Sequence, residues 1–215
     1  MTKNLTRHYY KNWVLVCVSI ILAGYFFIKA PEVIPTHFDL AGNADNYGPK
    51  INLFKFPALL AGLNLLVEVL KRIDPKRENY RRFEKHFYLI IFAMNIYLLS
   101  SQIIIGAYGL NWLSQIPSYL EGSLGLLFIV LGNYMPKIKF NYFMGIRTPW
   151  TLADEKVWYL THRLAGKIFV VMGILILLTV FLPLTIKEWS VPLITLGGTM
   201  SVVGASYWLY RKQHL

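Results

Sequence analysis

Six mainly apolar runs divide this chain and leave little choice of fold. They cover approximately residues 13–28, 53–70, 87–108, 120–135, 165–185 and 191–210. A hydrocarbon core about 30 Å thick needs roughly 20 mainly apolar helical residues, and somewhat fewer where flanking side chains snorkel. The runs therefore predict an all-α fold, a polytopic membrane helical bundle of about six transmembrane helices. A composition of 55% hydrophobic and 15% charged residues in 215 agrees. The first run has the basic start and apolar centre of a signal peptide. No small-residue cleavage site follows it, and Ile34-Pro35-Thr36 reads as loop, so it is expected to stay as a helix.

The charges between the runs set the orientation. Lys3, Arg7 and Lys11 precede the first run, and Lys71, Arg72, Lys76, Arg77, Arg81, Arg82 and Lys85 crowd the second connection. Lys137, Lys139, Arg147, Lys156 and Arg163 lie in the fourth, and Arg211 and Lys212 in the tail. Only Lys29, Lys50 and Lys187 fall on the opposite side, so the positive-inside rule predicts a multi-pass cell-membrane protein with both termini cytoplasmic. The net charge of +11 follows from this topology and implies no direct nucleic-acid partner. Trp13, Trp112, Trp189 and Trp208 lie near run ends, where amphipathic rings favour the headgroup layer. Lys55 and Lys167 are also expected near helix ends, within snorkelling reach. The lone Cys17 can form neither an intramolecular disulfide nor a Cys-rich metal site.

Polar residues inside the runs are few. Asn64 and Glu68 share a helical face, and Asn95 lies near the middle of the third run. Interhelical hydrogen bonds of about 0.6 kcal/mol each account for such groups. A transport path would need ionisable groups spaced through the bilayer, whereas Glu68, close to Lys71, is expected at the interface. Gly197, Ser201 and Ala205 recur every fourth residue and predict a face that another helix approaches closely.

Two connections are candidates for function. The external loop 31–50 carries Pro35, His37, Asp39, Gly42 and Asp45 in an ordered, turn-rich stretch. Its acidic residues lack the EF-hand order and His37 has no second His or Cys nearby, so no metal or cofactor is expected. The cytoplasmic motif loop 136–163 contains "NYFMGIRTPWTL", followed by helix signals. Thr151 and Asp154 have capping-box spacing, and Asp154 and Glu155 suit a helix start better than acid–base chemistry. Trp158 and His162 share a face, which predicts an interfacial helix between the fourth and fifth spans. Arg147 beside Trp150 suits a lipid phosphate or a carboxylate of the protein itself.

The segment "GNYMPKIKFNYFMGIRTPWTLADEKVWYLTHRLAGK", residues 132–167, closely resembles the carboxy-terminal signature of the SdpI family of bacterial membrane proteins. Gly132, Asn133, Pro136, Asn141, Gly145, Arg147, Thr148, Pro149, Trp150, Thr151, Trp158, Thr161 and His162 fall in register with it. "IPTHFDLAGNADNYGPK" resembles the small domain of unknown function that commonly precedes that signature. The chain then divides into an amino-terminal membrane region, 1–110, with the external loop and a basic cytoplasmic loop 71–86, and an SdpI-like region, 111–215. The resemblance implies immunity against a secreted antimicrobial peptide of the SdpC type, met on the outer face. It also implies a receptor that sequesters an autorepressor protein on the cytoplasmic face, with no catalytic residue and no cofactor. Two other classes stay open: an integral membrane enzyme acting on lipid or peptide, for which His162, Asp154, Thr161 and Arg147 are the available cluster, and a toxin-exporting transporter.

Overall fold

A computed structural model describes residues 3–39, 43–113 and 116–214; of the expected site residues, Gly42 lies outside them. Six long helices occupy the six apolar runs: α1 (Lys3–Lys29), α2 (Lys55–Ile73), α4 (Glu84–Gly109), α5 (Pro117–Tyr134), α7 (Glu155–Thr179) and α8 (Leu184–His214). Two short helices, α3 (Arg77–Tyr80) and α6 (Pro149–Ala153), lie between them. Among the described helical segments, Tyr9–Lys29, Lys50–Ile73, Glu84–Gly109 and Glu155–Thr179 are long and apolar enough to cross a membrane by length and composition.

Three features differ from the sequence reading. The external loop is not helical or merely looped: β1 (Val33–Phe38) and β2 (Ala44–Pro49) form an antiparallel hairpin, so a small sheet caps one end of an otherwise helical bundle. Its register runs from Val33 opposite Pro49 to Phe38 opposite Ala44, with irregularities beside His37. The fifth long helix starts ten residues early, at Glu155 rather than 165, because Asp154 caps it by accepting from the backbone N–H groups of Lys156 and Val157. The expected interfacial helix thus resolves into the five-residue α6 and the first turns of α7, and Lys167 sits midway along α7 instead of near an end. Finally, no helix of this chain closes on the Gly197–Ser201 part of the stripe: Gly197 has nothing within 4 Å, and Ser201 is exposed, while Ala205 is half-buried. The packed face of α8 is one residue over, where Met172 seats on Gly198 and Val202 and Ser206 are buried.

Two kinds of helix contact build the bundle. In the amino-terminal half α1 and α4 run parallel and share a polar seam. Asn95 Nδ2 donates to Asn12 Oδ1 at 2.9 Å, and Ser19 Oγ donates to Gln102 Oε1 at 2.6 Å. The partners on each helix are seven residues apart, two helical turns, so both pairs lie on one line of contact. Asn64 of α2 joins the first pair, its Oδ1 accepting from Asn95 Nδ2 at 3.2 Å, which is the interhelical bond the sequence suggested. In the carboxy-terminal half α5 and α7 run antiparallel and meet at glycines. A Cβ on Gly132 would stand 2.6 Å from Gly166 O, and one on Gly125 would stand 2.8 Å from Gly173 O. Bare backbone at these four positions lets the helix axes approach closely.

Candidate functional site

At the end of the bundle that carries both termini, the chain between the 3₁₀ turn Met135–Lys137 and α6 has no regular backbone pairing, so side chains must satisfy its polar groups. Asn141 is fully buried and does most of this. Its Nδ2 donates to the carbonyls of Lys139 (2.8 Å) and Met144 (3.0 Å), while its Oδ1 accepts from the N–H groups of Phe143 (3.0 Å) and Met144 (2.6 Å). The turn is thereby held from inside.

The basic loop between α2 and α4 is latched to this turn. Tyr80 OH lies 3.0 Å from Asp74 Oδ2 and 3.1 Å from Asn141 Oδ1, and both Tyr80 and Asp74 are about 1% exposed. Asp74 Oδ2 also accepts from Tyr142 N at 2.9 Å, and Oδ1 accepts from Lys76 N at 2.7 Å. Asn79 Nδ2 donates to Phe140 O at 2.8 Å. Burial, and then the hydrogen bond and charge of Asp74, push the Tyr80 phenol well above its ordinary pKa, so it stays a neutral donor. The two loops named separately in the sequence therefore form one hydrogen-bonded surface.

On the other flank, His162 stacks on Trp158 with ring centroids 4.1 Å apart. Its Nε2 accepts from Ile146 N at 3.0 Å, and its Nδ1 lies 2.8 Å from Trp158 O. An acceptor at Nε2 and a carbonyl at Nδ1 together require the neutral Nδ1–H tautomer. Gly145, with φ +109°, passes the Nε2 edge of the ring. Trp158 Nε1 donates to Ile138 O at 3.1 Å, and its ring meets Phe140 edge-on at 5.3 Å. The predicted spacing of Trp158 and His162 on one face is thus realised as a buried stack.

Thr151 is not the cap of the long helix. It forms a capping box with Thr148 around α6, and its Oγ1 donates to Ile146 O at 2.8 Å. Thr148 Oγ1 lies 3.1 Å from Ser206 Oγ, joining the motif to α8, and Trp150 packs on Tyr207 with centroids 5.0 Å apart. Pro136 lies against the Gly132–Gly166 crossing. Asn133 turns back to Ile129 O on its own helix, and exposed Arg147 donates to Tyr142 O at 2.9 Å rather than to a carboxylate. Thr161 Oγ1 is buried without a hydrogen-bond partner among the described residues.

The four residues considered for enzyme chemistry are therefore each engaged separately. Asp154 caps α7, Arg147 meets a carbonyl, both His162 nitrogens face backbone groups, and Thr161 is enclosed. Sequence reasoning missed Asp74, Asn79, Tyr80 and Ser206. The available signal was Asp74 itself, an acidic residue inside a strongly basic loop. A carboxylate that is buried needs hydrogen-bond donors brought to it.

The hairpin occupies the opposite end. His37 Nδ1 and Asp45 Oδ1 meet across the strands at 2.6 Å, both well exposed. Asp39 Oδ1 accepts from Asn43 N at 2.7 Å, and Pro35 pairs with Tyr47 and lines a small cavity of about 160 Å³ with Ile34, Asn52 and Ile105. No group of three or more His, Cys, Asp or Glu able to hold a metal occurs among the described residues.

Residues 137–208 match the SdpI/YfhL protein family, and residues 14–61 match a domain of unknown function, DUF1648. Immunity protein SdpI of Bacillus subtilis (strain 168) is 28% identical over 200 residues, covering 93% of this chain and 94% of that protein. No solved structure matches.

Proposed function

We propose that this chain, whose residues 137–208 match the SdpI/YfhL protein family, is a membrane immunity protein protecting the producing cell from a secreted antimicrobial peptide. The observation that carries this reading is similarity along nearly the whole length of both chains to a protein named for immunity. In the proposed orientation both termini and the motif end face the cytoplasm, and the β1–β2 hairpin faces outward, where a secreted peptide arrives. The basic loop favours this orientation, with exposed Lys76, Arg77, Arg81 and Arg82 beside the Asp74–Tyr80 latch. The protein works by binding and occlusion rather than by bond chemistry, a reading supported by the engaged nitrogens of His162.

The same latched surface supports a second role, holding a repressor protein at the membrane when peptide is bound outside. Peptide must then bind one arrangement of the bundle better than another. Expression in a peptide-sensitive bacterium tests the first role: cells with the inserted protein should survive challenge with an SdpC-type peptide. Survival equal to that with an empty vector, with membrane insertion verified, would overturn the reading.

A further inference from the structure

One face of α7 combines two features that the proposed immunity role leaves unused. Arg163 and Lys167 are both exposed and four residues apart, so they share a face that continues through exposed Val171, Leu175 and Leu178. Among the described residues neither cation is paired with a carboxylate. Lys167 lies twelve residues beyond Glu155, about 18 Å along a helix read as spanning the membrane. A cation at that depth on a lipid-facing stripe is costly unless it reaches an anion or the interface.

An apolar groove of about 390 Å³ opens beside it between α7 and α8, lined by Lys167, Val171, Leu175, Leu193, Ile194 and Gly197. The groove is open at Gly197, which has no side chain and nothing within 4 Å. From the motif end inward, the order is cation first and then alkyl lining. That is the head-to-tail order of a phospholipid in the leaflet at this end.

We propose that this face binds one anionic glycerophospholipid, its phosphate held between Arg163 and Lys167 and one acyl chain laid in the groove past Gly197. Charge complementarity selects the occupant. Two unpaired cations favour a headgroup with net negative charge, whereas a zwitterionic lipid carries its own cation beside the phosphate.

The test uses the full chain in detergent, with native mass spectrometry of complexes formed on adding phosphatidylglycerol or phosphatidylcholine of identical acyl chains. The wild type should retain phosphatidylglycerol in preference, by about five-fold for each cation engaged. The double variant R163Q/K167Q should lose the preference, and K167R should keep it. Gly197→Leu should lower retention of phosphatidylglycerol while leaving both cations in place. Equal retention of the two lipids by the wild type would overturn the proposal, as would an unchanged preference in R163Q/K167Q. Undiminished binding by Gly197→Leu would show a surface anion contact without a seated chain and would overturn it too. A co-purifying apolar peptide in place of lipid would have the same consequence. Should R163Q/K167Q melt far below the wild type, K167R and Gly197→Leu decide the matter between them.

Discussion

His162 Nε2 occupies the space in which a side chain on Gly145 would begin. The same nitrogen accepts the N–H of Ile146, so one ring fixes both the path of the chain and the identity of the residue that crosses it. Gly145→Ala should lower stability by about 1–3 kcal/mol from its positive φ, with the collision added to that. Thermal unfolding in detergent would read it, with Gly122→Ala, where nothing lies within 4 Å, changing far less.

Tyr80→Phe should cost about 1–2 kcal/mol, since Asn141 and Asp74 keep their backbone partners. Asp74→Ala should cost more, because it strips acceptors from Tyr142 N, Lys76 N and the Tyr80 hydroxyl together. Limited proteolysis at residues 139–147 should reveal both, the second at lower protease. The raised phenol pKa adds a sign. Stability from Tyr80 is fully present below the ordinary value near 10 and is lost as pH rises from there through the higher folded value. Tyr80→Phe should therefore flatten the alkaline fall in melting temperature, and an equally steep fall would refute this role for the phenol.

Gly132→Leu and Gly166→Leu should each part α5 from α7, since the atom in the way is a backbone oxygen that cannot swing aside. Accumulation in the membrane should drop severely for either. Gly197→Ala should accumulate as the wild type does, because its side is open.

Asn95→Ala should have a modest effect, about 0.6 kcal/mol for each of its bonds to Asn12 and Asn64 and below 2 kcal/mol in all. Unfolding in mixed micelles is the measurement. A loss above 4 kcal/mol would mean that the seam holds more than paired amides.

Much of this architecture could be read from composition and charge. Apolar runs announce helices because lipid-length burial requires them, and Trp158 with His162 announces a shared face because helical spacing is local. The Asp74–Tyr80–Asn141 latch was hidden, since it joins residues some 61 to 68 positions apart and no period relates them. The glycine crossing was half visible: Gly132 stood in the motif, but its partner Gly166 was only one more small residue in an apolar run. Which face of α8 packs within the chain was ambiguous for a related reason. Small residues mark faces on both sides of that helix, and only the seat of Met172 on Gly198 shows which is used. The hairpin escaped because Pro, Gly and Asn punctuate loops and short irregular strands alike.

The seam between α1 and α4 bears on how an outside event can be felt within. Asn12–Asn95 and Ser19–Gln102 are both 83 residues apart, so the two helices are pinned at two heights in the same register. A piston stroke of one along the other would break both pairs at once and strand four amide or hydroxyl groups in hydrocarbon. Under the proposed immunity role, peptide contact at the hairpin would have no such sliding rod at its disposal. A movement that keeps both pairs intact is a tilt of α1 and α4 together, as one stiff unit.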